Sequence, residues 1–127
     1  MHFSDKVNGI PGNDDLGSMS SLLIFASLGL FPQAGTNRFL IGSPRINGGV
    51  FNLTQLDGMQ TPLRLKFIVH NNSAENIYVS RLVIDGINEV TEPFLYKSSL
   101  LATRGSAEKT IEFFMTSTPK SGLCSSY

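Results

Sequence analysis

The sequence contains 127 residues, enough for one domain that buries roughly two-thirds of the surface of its unfolded chain. Its apolar fraction of 41% is that of a globular protein, since a disordered chain carries fewer apolar residues and more charge. Lys and Arg together number 10, as do Asp and Glu, and no basic run occurs. Nucleic acid and membrane surfaces are therefore not expected as partners.

The sequence gives little information about compartment. Its one cysteine, Cys124, excludes an internal disulfide framework and a cysteine-based zinc site. The apolar run from Leu22 to Ala26 is far shorter than the about 20 residues that span a bilayer. Residues 1–6 lack the apolar stretch of a secretory signal. The tripeptides Asn52-Leu53-Thr54 and Asn71-Asn72-Ser73 fit the N-glycosylation pattern, which recurs by chance in chains that are not secreted.

An early segment has the period of an α-helix. Apolar residues recur at steps of three and four, at Met19, Leu22, Leu23, Ala26 and Leu30. Asn13, Asp14 and Asp15 are good N-cap residues, and Gly29 ends the pattern. We predict a helix from about Asp15 to Leu28, largely buried because its apolar surface is wide. The sequence offers it no helical partner, so we expect that partner in a region preceding this chain.

From Arg38 onward, apolar residues alternate with polar ones. This period of two is clearest in residues 63–70, 78–84 and 111–115, and it predicts half-buried strands. Asp57-Gly58 and Asp85-Gly86 indicate tight turns, and two further loops are predicted at Gly42-Ser43-Pro44 and Gly48-Gly49. The predicted fold is mixed α+β. One N-terminal helix in residues 1–36 precedes an antiparallel, β-sandwich-like region of about six strands in residues 37–127.

Two adjacent carboxylates, Asp14 and Asp15, stand between glycines at the predicted start of the helix. Such a loop can present one ionised carboxylate as a general base toward water, while the other tunes it or holds a sugar hydroxyl. Two other interpretations stay open. The pair can simply cap the helix, or Asn13, Asp15 and Gly17 can belong to a calcium loop, although the later acidic ligands of such a loop are missing.

Several blocks of the sequence together resemble one enzyme family. The segment Gly12–Ser20 resembles the Gly-Asn-(Asp/Glu)-Asp-x-Gly-x-Met-Ser signature of glycoside hydrolase family 92, the inverting, calcium-dependent exo-α-mannosidases. Four further blocks follow in the family's order, at Phe31-Pro32, Phe39–Pro44, Asn71–Tyr78 and Ile111–Met115. The chain departs from the family pattern at Ser21-Leu22-Leu23, where Ala-Trp-Tyr is usual, and at Phe31, where Tyr is common.

The resemblance implies a specific role for the acidic loop. In the family the second Asp of the motif is the general base, which is Asp15 here, with Asp14 supporting it and Asn13 contacting substrate. The general acid and the calcium ligands lie upstream of the motif, so no metal ligand is expected on this chain. Residues 1–36 would then be the end of an (α/α)6 barrel.

The resemblance also implies partners for the chain. The whole enzyme would remove mannose from N-glycans with the help of calcium, and it would be secreted or lie in the secretory pathway. We expect the chain alone to be an inactive C-terminal fragment, because it holds the base without the acid. Its partners would be the N-terminal part of the enzyme and a mannose-containing glycan.

A second function, from a different class, stays open. The strand-rich part of the chain fits a non-catalytic carbohydrate-binding β-sandwich module. Sugar platforms usually expose Trp or Tyr, whereas this chain has no Trp and only three Tyr.

Two other residues are not expected to be catalytic. Glu75 is expected in a solvated turn before a strand. His70 has no Ser or Cys partner motif, so a catalytic triad is not expected.

Overall fold

The computed structural model describes residues 4–10, 12–13, 15–53, 63–101 and 108–119. The helices and strands of these residues are, in chain order, α1 (Ser18–Leu28), β1 (Leu30–Pro32), β2 (Arg38–Ile41), β3 (Gly48–Leu53), β4 (Leu63–His70), β5 (Tyr78–Ile84), β6 (Asn88–Glu89), β7 (Phe94–Tyr96), α2 (Lys97–Leu101) and β8 (Glu108–Thr116). Strands dominate, as the alternating pattern predicts.

The strands form two open sheets. One has three strands in the order β1-β2-β7, and the other has five in the order β3-β4-β8-β5-β6. Every pair is antiparallel except β4 and β8, which run parallel from Arg64 beside Glu108 to His70 beside Phe114. A parallel pair needs a long crossover, which residues 71–107 provide. The predicted mixed α+β, sandwich-like fold is confirmed, with two differences: this parallel pair and a second, short helix, α2, where the prediction had one helix.

One hydrophobic core joins the two sheets. Inward-facing residues alternate along β4 and β8, and the side chains of Leu63, Ile111 and Phe113 are fully buried. The same cluster includes Leu30 and Leu95 of the three-stranded sheet, together with Leu100 of α2. The division of the chain near residue 36 stays a prediction, although β1 and β2, on its two sides, pair in one sheet.

Three predicted turns or loops can be compared with the structure, and one of them differs. Gly42-Ser43-Pro44 lies in the loop between β2 and β3, as predicted. Asp85 and Gly86 both have positive φ, 53° and 70°, and form a tight turn before β6, as predicted. Gly48-Gly49 does not form the predicted loop but begins β3. A side chain at Gly48 would meet the Phe67 carbonyl oxygen at 2.9 Å, so glycine there allows close approach of the two strands. The predicted Asp57-Gly58 turn lies outside the described residues.

Helix α1 is attached to the β region at its C-terminal end. It ends at Leu28, as predicted, because Gly29 adopts a left-handed φ of 74°. The Gly42 N–H donates to the Gly29 carbonyl at 2.8 Å, and the Arg45 N–H donates to the Ser27 carbonyl at 2.9 Å. No residue of α1 is buried, because the sheets of this chain reach only one end of the helix, so this chain alone does not provide the burial predicted for it.

The core predicts the effect of truncating Phe113. Phe113→Ala should lower the free energy of unfolding by about 3 to 5 kcal/mol, because it leaves a cavity in the core. Ile87→Ala, at an exposed turn position, should change it by less than about 0.5 kcal/mol. Urea unfolding of the two variants measures both values, and equal effects would contradict this assignment of the core.

Candidate active-site loop

The acidic motif lies in the loop that leads into α1. Asp15 is exposed, and its backbone N–H donates to the Asn13 side-chain oxygen at 3.1 Å. Asn side chains commonly hold the backbone two residues on in this way, which fixes a turn. Asp14, the first carboxylate of the pair, lies outside the described residues.

Successive left-handed residues shape this loop. Asp15, Leu16 and Gly17 have φ values of 56°, 60° and 92°. A right-handed helix cannot include such residues, so α1 begins at Ser18 instead of near Asp15, and Gly17 is its N-cap without a side-chain cap. The interpretation of the acidic residues as a helix cap is therefore wrong for Asp15. The Asn13 side-chain oxygen accepts the Asp15 N–H, which stabilises a turn here in place of a first helical turn.

This loop conformation has an energetic cost. A left-handed conformation at a non-glycine residue costs roughly 1 to 2 kcal/mol, and Asp15 and Leu16 are two such residues in succession. Backbone strain of this kind persists where the surrounding structure maintains it and is concentrated at functional sites. Leu16 is also fully exposed, so the loop presents a carboxylate and an apolar side chain next to each other.

Candidate metal ligands do not converge in the part of the chain that the structure describes. No three Asp, Glu, His or Cys side chains there form a group that could hold a metal ion. These residues do not fit a calcium site, and no step of a reaction through calcium is assigned to them.

Glu75 and His70, the other candidate residues that the structure describes, lie among contacts that stabilise the fold. Glu75 is exposed in the turn before β5, where the Ser73 hydroxyl accepts the N–H groups of Glu75 and Asn76. His70 lies 2.8 Å from a Glu112 carboxylate oxygen and stacks on the Phe114 ring, with 4.5 Å between ring centroids. These contacts hold adjacent strands together. Cys124 lies outside the described residues.

The similarity to known proteins covers most of the chain. Residues 1–117 match the family described as the glycosyl hydrolase family 92 catalytic domain. The chain belongs to glycosyl hydrolase family 92. Over 84 residues it is 33% identical to an uncharacterized secreted glycosidase of Arthroderma benhamiae. That match covers 66% of this chain and 10% of the fungal relative.

Solved structures of family 92 enzymes share the fold of this chain. One is an α-mannosidase of Bacteroides thetaiotaomicron in complex with mannoimidazole, with a TM-score of 0.72 and 23% identity over 94% of this chain and 14% of that protein. Another is an inverting mannosidase of Bacteroides thetaiotaomicron VPI-5482, with a TM-score of 0.66, 22% identity and 93% and 14% coverage. The part matched is C-terminal in these enzymes.

Neither helix in the described part of the chain is long and apolar enough to cross a bilayer.

Two glycines at the ends of α1 give a matched test of the loop geometry. Gly17→Ala should lower the free energy of unfolding by about 1 to 2 kcal/mol, because φ is left-handed but space for a side chain is open. Gly29→Ala should lower the free energy of unfolding by about 1 to 3 kcal/mol more than Gly17→Ala does. The reason is that the new side chain would meet backbone atoms of Gly42 and Pro44 at 2.8 Å. Urea unfolding measures the difference, and equal costs would contradict the close packing at Gly29.

Proposed function

We propose that this chain supplies the general base of an inverting exo-α-mannosidase, and that Asp15 is that base. Family 92 membership supports the glycosidase class. The observation that carries the residue assignment is the strained loop, in which Asp15 is exposed immediately before α1 and fixed through Asn13.

The proposed reaction needs two carboxyl groups on opposite faces of the sugar. The Asp15 carboxylate takes a proton from water, whose oxygen attacks the anomeric carbon as the bond to the leaving oxygen breaks. A carboxylic acid protonates that leaving oxygen, and the anomeric configuration inverts. Inverting glycosidases hold the two groups roughly 6.5 to 9.5 Å apart, which leaves room for the water.

Asn13 and Asp14 are proposed as supporting residues. The Asn13 side-chain oxygen accepts the Asp15 N–H, so its amide nitrogen can still donate to a sugar hydroxyl. Asp14 is proposed to tune the base or to accept a sugar hydroxyl. We assign no described residue as the general acid, and we propose that the acid and the calcium ligands belong to the rest of the enzyme.

The substrate and compartment are also proposals. Similar structures are those of α-mannosidases, one of them in complex with mannoimidazole, which supports a terminal mannose, as found on N-glycans, as the substrate. The fungal relative is a secreted glycosidase, which supports a whole enzyme that is secreted or lies in the secretory pathway. The 127-residue chain, holding a base without an acid, would then be inactive alone.

The exposed surface of α1 supports the remaining enzyme as the partner. Leu22 and Ile24 are 45% and 54% exposed on this helix, while Leu28 and Phe25 reach the core and the Phe39 ring. A helix with apolar residues on all sides is normally buried. We propose that the uncovered side of α1 packs against helices of the barrel.

Replacing the proposed base tests the reaction. In the longer polypeptide that contains this chain, Asp15→Asn should lower kcat on an aryl α-mannoside by about 10² to 10⁴ fold, because an amide cannot accept the proton. Glu75→Gln, an exposed carboxylate in a turn, is the matched control and should leave kcat unchanged. Unchanged kcat in Asp15→Asn would contradict the base assignment, and turnover by the 127-residue chain alone would contradict its proposed inactivity.

A polar substitution on α1 tests the partner surface. Leu22→Gln should change the stability of the 127-residue chain by less than about 0.5 kcal/mol. In the longer polypeptide it should lower the free energy of unfolding by about 1 to 3 kcal/mol, because it buries an unpaired amide. Ile87→Gln, exposed on the β5–β6 turn, should be neutral in both. The surface assignment fails if urea unfolding finds both variants neutral in the longer polypeptide.

A further inference from the structure

A cavity of about 400 Å³ lies beside β6, β7 and α2, far along the chain from the acidic loop. It is lined by β6, the residues that follow it, β7 and the first turn of α2, together with Ile84 of β5 and Lys109 of β8. The volume falls within the range of roughly 300 to 1,000 Å³ that ligand pockets occupy. Asp15 and α1 contribute nothing to it.

An aromatic pair forms one wall of the cavity. Phe94 and Tyr96 alternate with the buried Leu95 along β7, so they share the face of the strand that points away from the core. Their rings meet edge to face with centroids 5.4 Å apart. The Arg38 guanidinium lies over Phe94 at 4.7 Å, whereas Tyr96 is 44% exposed. Tyr96 therefore offers the more open ring surface.

Hydroxyl and carboxylate groups also line the cavity. Thr91, Ser98 and Ser99 supply hydroxyls that both donate and accept, and Glu92 supplies an exposed carboxylate. No ion pair of the described residues involves Glu92. An apolar ligand would strip water from these groups without replacing the lost hydrogen bonds. The cavity therefore suits a ligand with many hydroxyl groups.

The charges of the cavity favour a neutral ligand. Lys109 is paired with the Asp85 carboxylate at 3.1 Å, and Glu89 is paired with Arg81 at 3.2 Å. Glu92 is thus the charged group left for a ligand, and its negative charge opposes an anion. A pyranose ring presents hydroxyls to such a carboxylate and its polarised C–H groups to the negative face of an aromatic ring.

We propose that this cavity is a sugar-binding subsite that holds one neutral hexopyranose residue of a glycan, with Tyr96 as the stacking surface and Glu92 as the hydroxyl acceptor. The choice of sugar rests on the proposed function, because a mannosidase meets mannose-rich chains. Binding there does not use Asp15, so the subsite holds the glycan without taking part in hydrolysis.

Native gels that contain a polysaccharide test this subsite. The longer polypeptide carries Asp15→Asn so that it does not consume the glycan, and it runs in gels with mannan, a β-glucan or no polysaccharide. We expect retardation in the mannan gel, with Tyr96→Ala and Glu92→Gln each weakening the apparent affinity at least tenfold. Tyr96→Phe, which keeps the ring, should retain most of the retardation.

Matched controls separate the cavity from general surface effects. Tyr78 is 40% exposed on β5, and Tyr78 and Glu75 both lie outside the cavity. Tyr78→Ala and Glu75→Gln should leave the retardation unchanged. Glu92→Gln changes an exposed side chain with little change of shape, so it keeps the test valid if Tyr96→Ala unfolds.

The outcomes distinguish the subsite from the proposed function. The subsite is supported if Tyr96→Ala and Glu92→Gln lose the retardation and the control variants keep it. Retardation that depends on Tyr96 in the β-glucan gel but is absent in mannan supports the subsite and contradicts mannose as the sugar. Equal retardation in all variants, or none in any gel, overturns the subsite, whatever the result of the Asp15→Asn activity assay.

Discussion

The pairing of β8 with both β4 and β5 is the constraint on which the rest of the structure depends. This late strand lies in the middle of the five-stranded sheet and contributes the fully buried Ile111 and Phe113. The core that it completes also contains Leu30, the first residue after the turn that ends α1. The position of the acidic loop is therefore linked, through α1 and the core, to the end of the chain that is most distant in sequence.

Local patterns in the sequence predict much of this fold. Alternating apolar residues identify β4 and β8, because one face of each strand is buried. The strand β5 is also predicted, but it buries the three consecutive residues Leu82, Val83 and Ile84 instead of one face. Asp85-Gly86 and Gly29 end their elements as predicted, since left-handed φ values favour these residues. In each case the information lies within a few residues, so the sequence alone is sufficient.

Non-local contacts explain what the sequence does not predict. Alternation is the same for parallel and antiparallel strands, so the parallel pairing of β4 with β8 depends on the crossover between them. Gly48-Gly49 has the composition of a turn, but pairing with the backbone of Phe67 places it in β3. The start of α1 is an exception, because a local contact, between Asn13 and Asp15, displaces it to Ser18 in a way that helix propensities do not describe. The exposure of α1 likewise depends on what packs against it.

The sequence predicts where the candidate site lies better than it predicts what each residue of the site does. The motif around Asp15 identifies family 92, which the family comparison confirms, whereas the role of each residue comes from the resemblance. The structure adds the strained turn that presents Asp15. The cavity beside Tyr96 has no local sequence signal, because it forms only when β6, β7 and α2 come together. A glycan enzyme with a second sugar contact on this β region would unite the two functions that the sequence leaves open.

The most direct test of the central claim, that Asp15 is the general base, is a crystal structure of the longer polypeptide with a mannose-like inhibitor. The Asp15 carboxylate should lie within hydrogen-bonding distance of a water on the face of the sugar opposite the leaving group. A second carboxyl group, contributed by the rest of the enzyme, should lie roughly 6.5 to 9.5 Å from it. An Asp15 carboxylate that points into solvent, away from the bound sugar, would contradict the account.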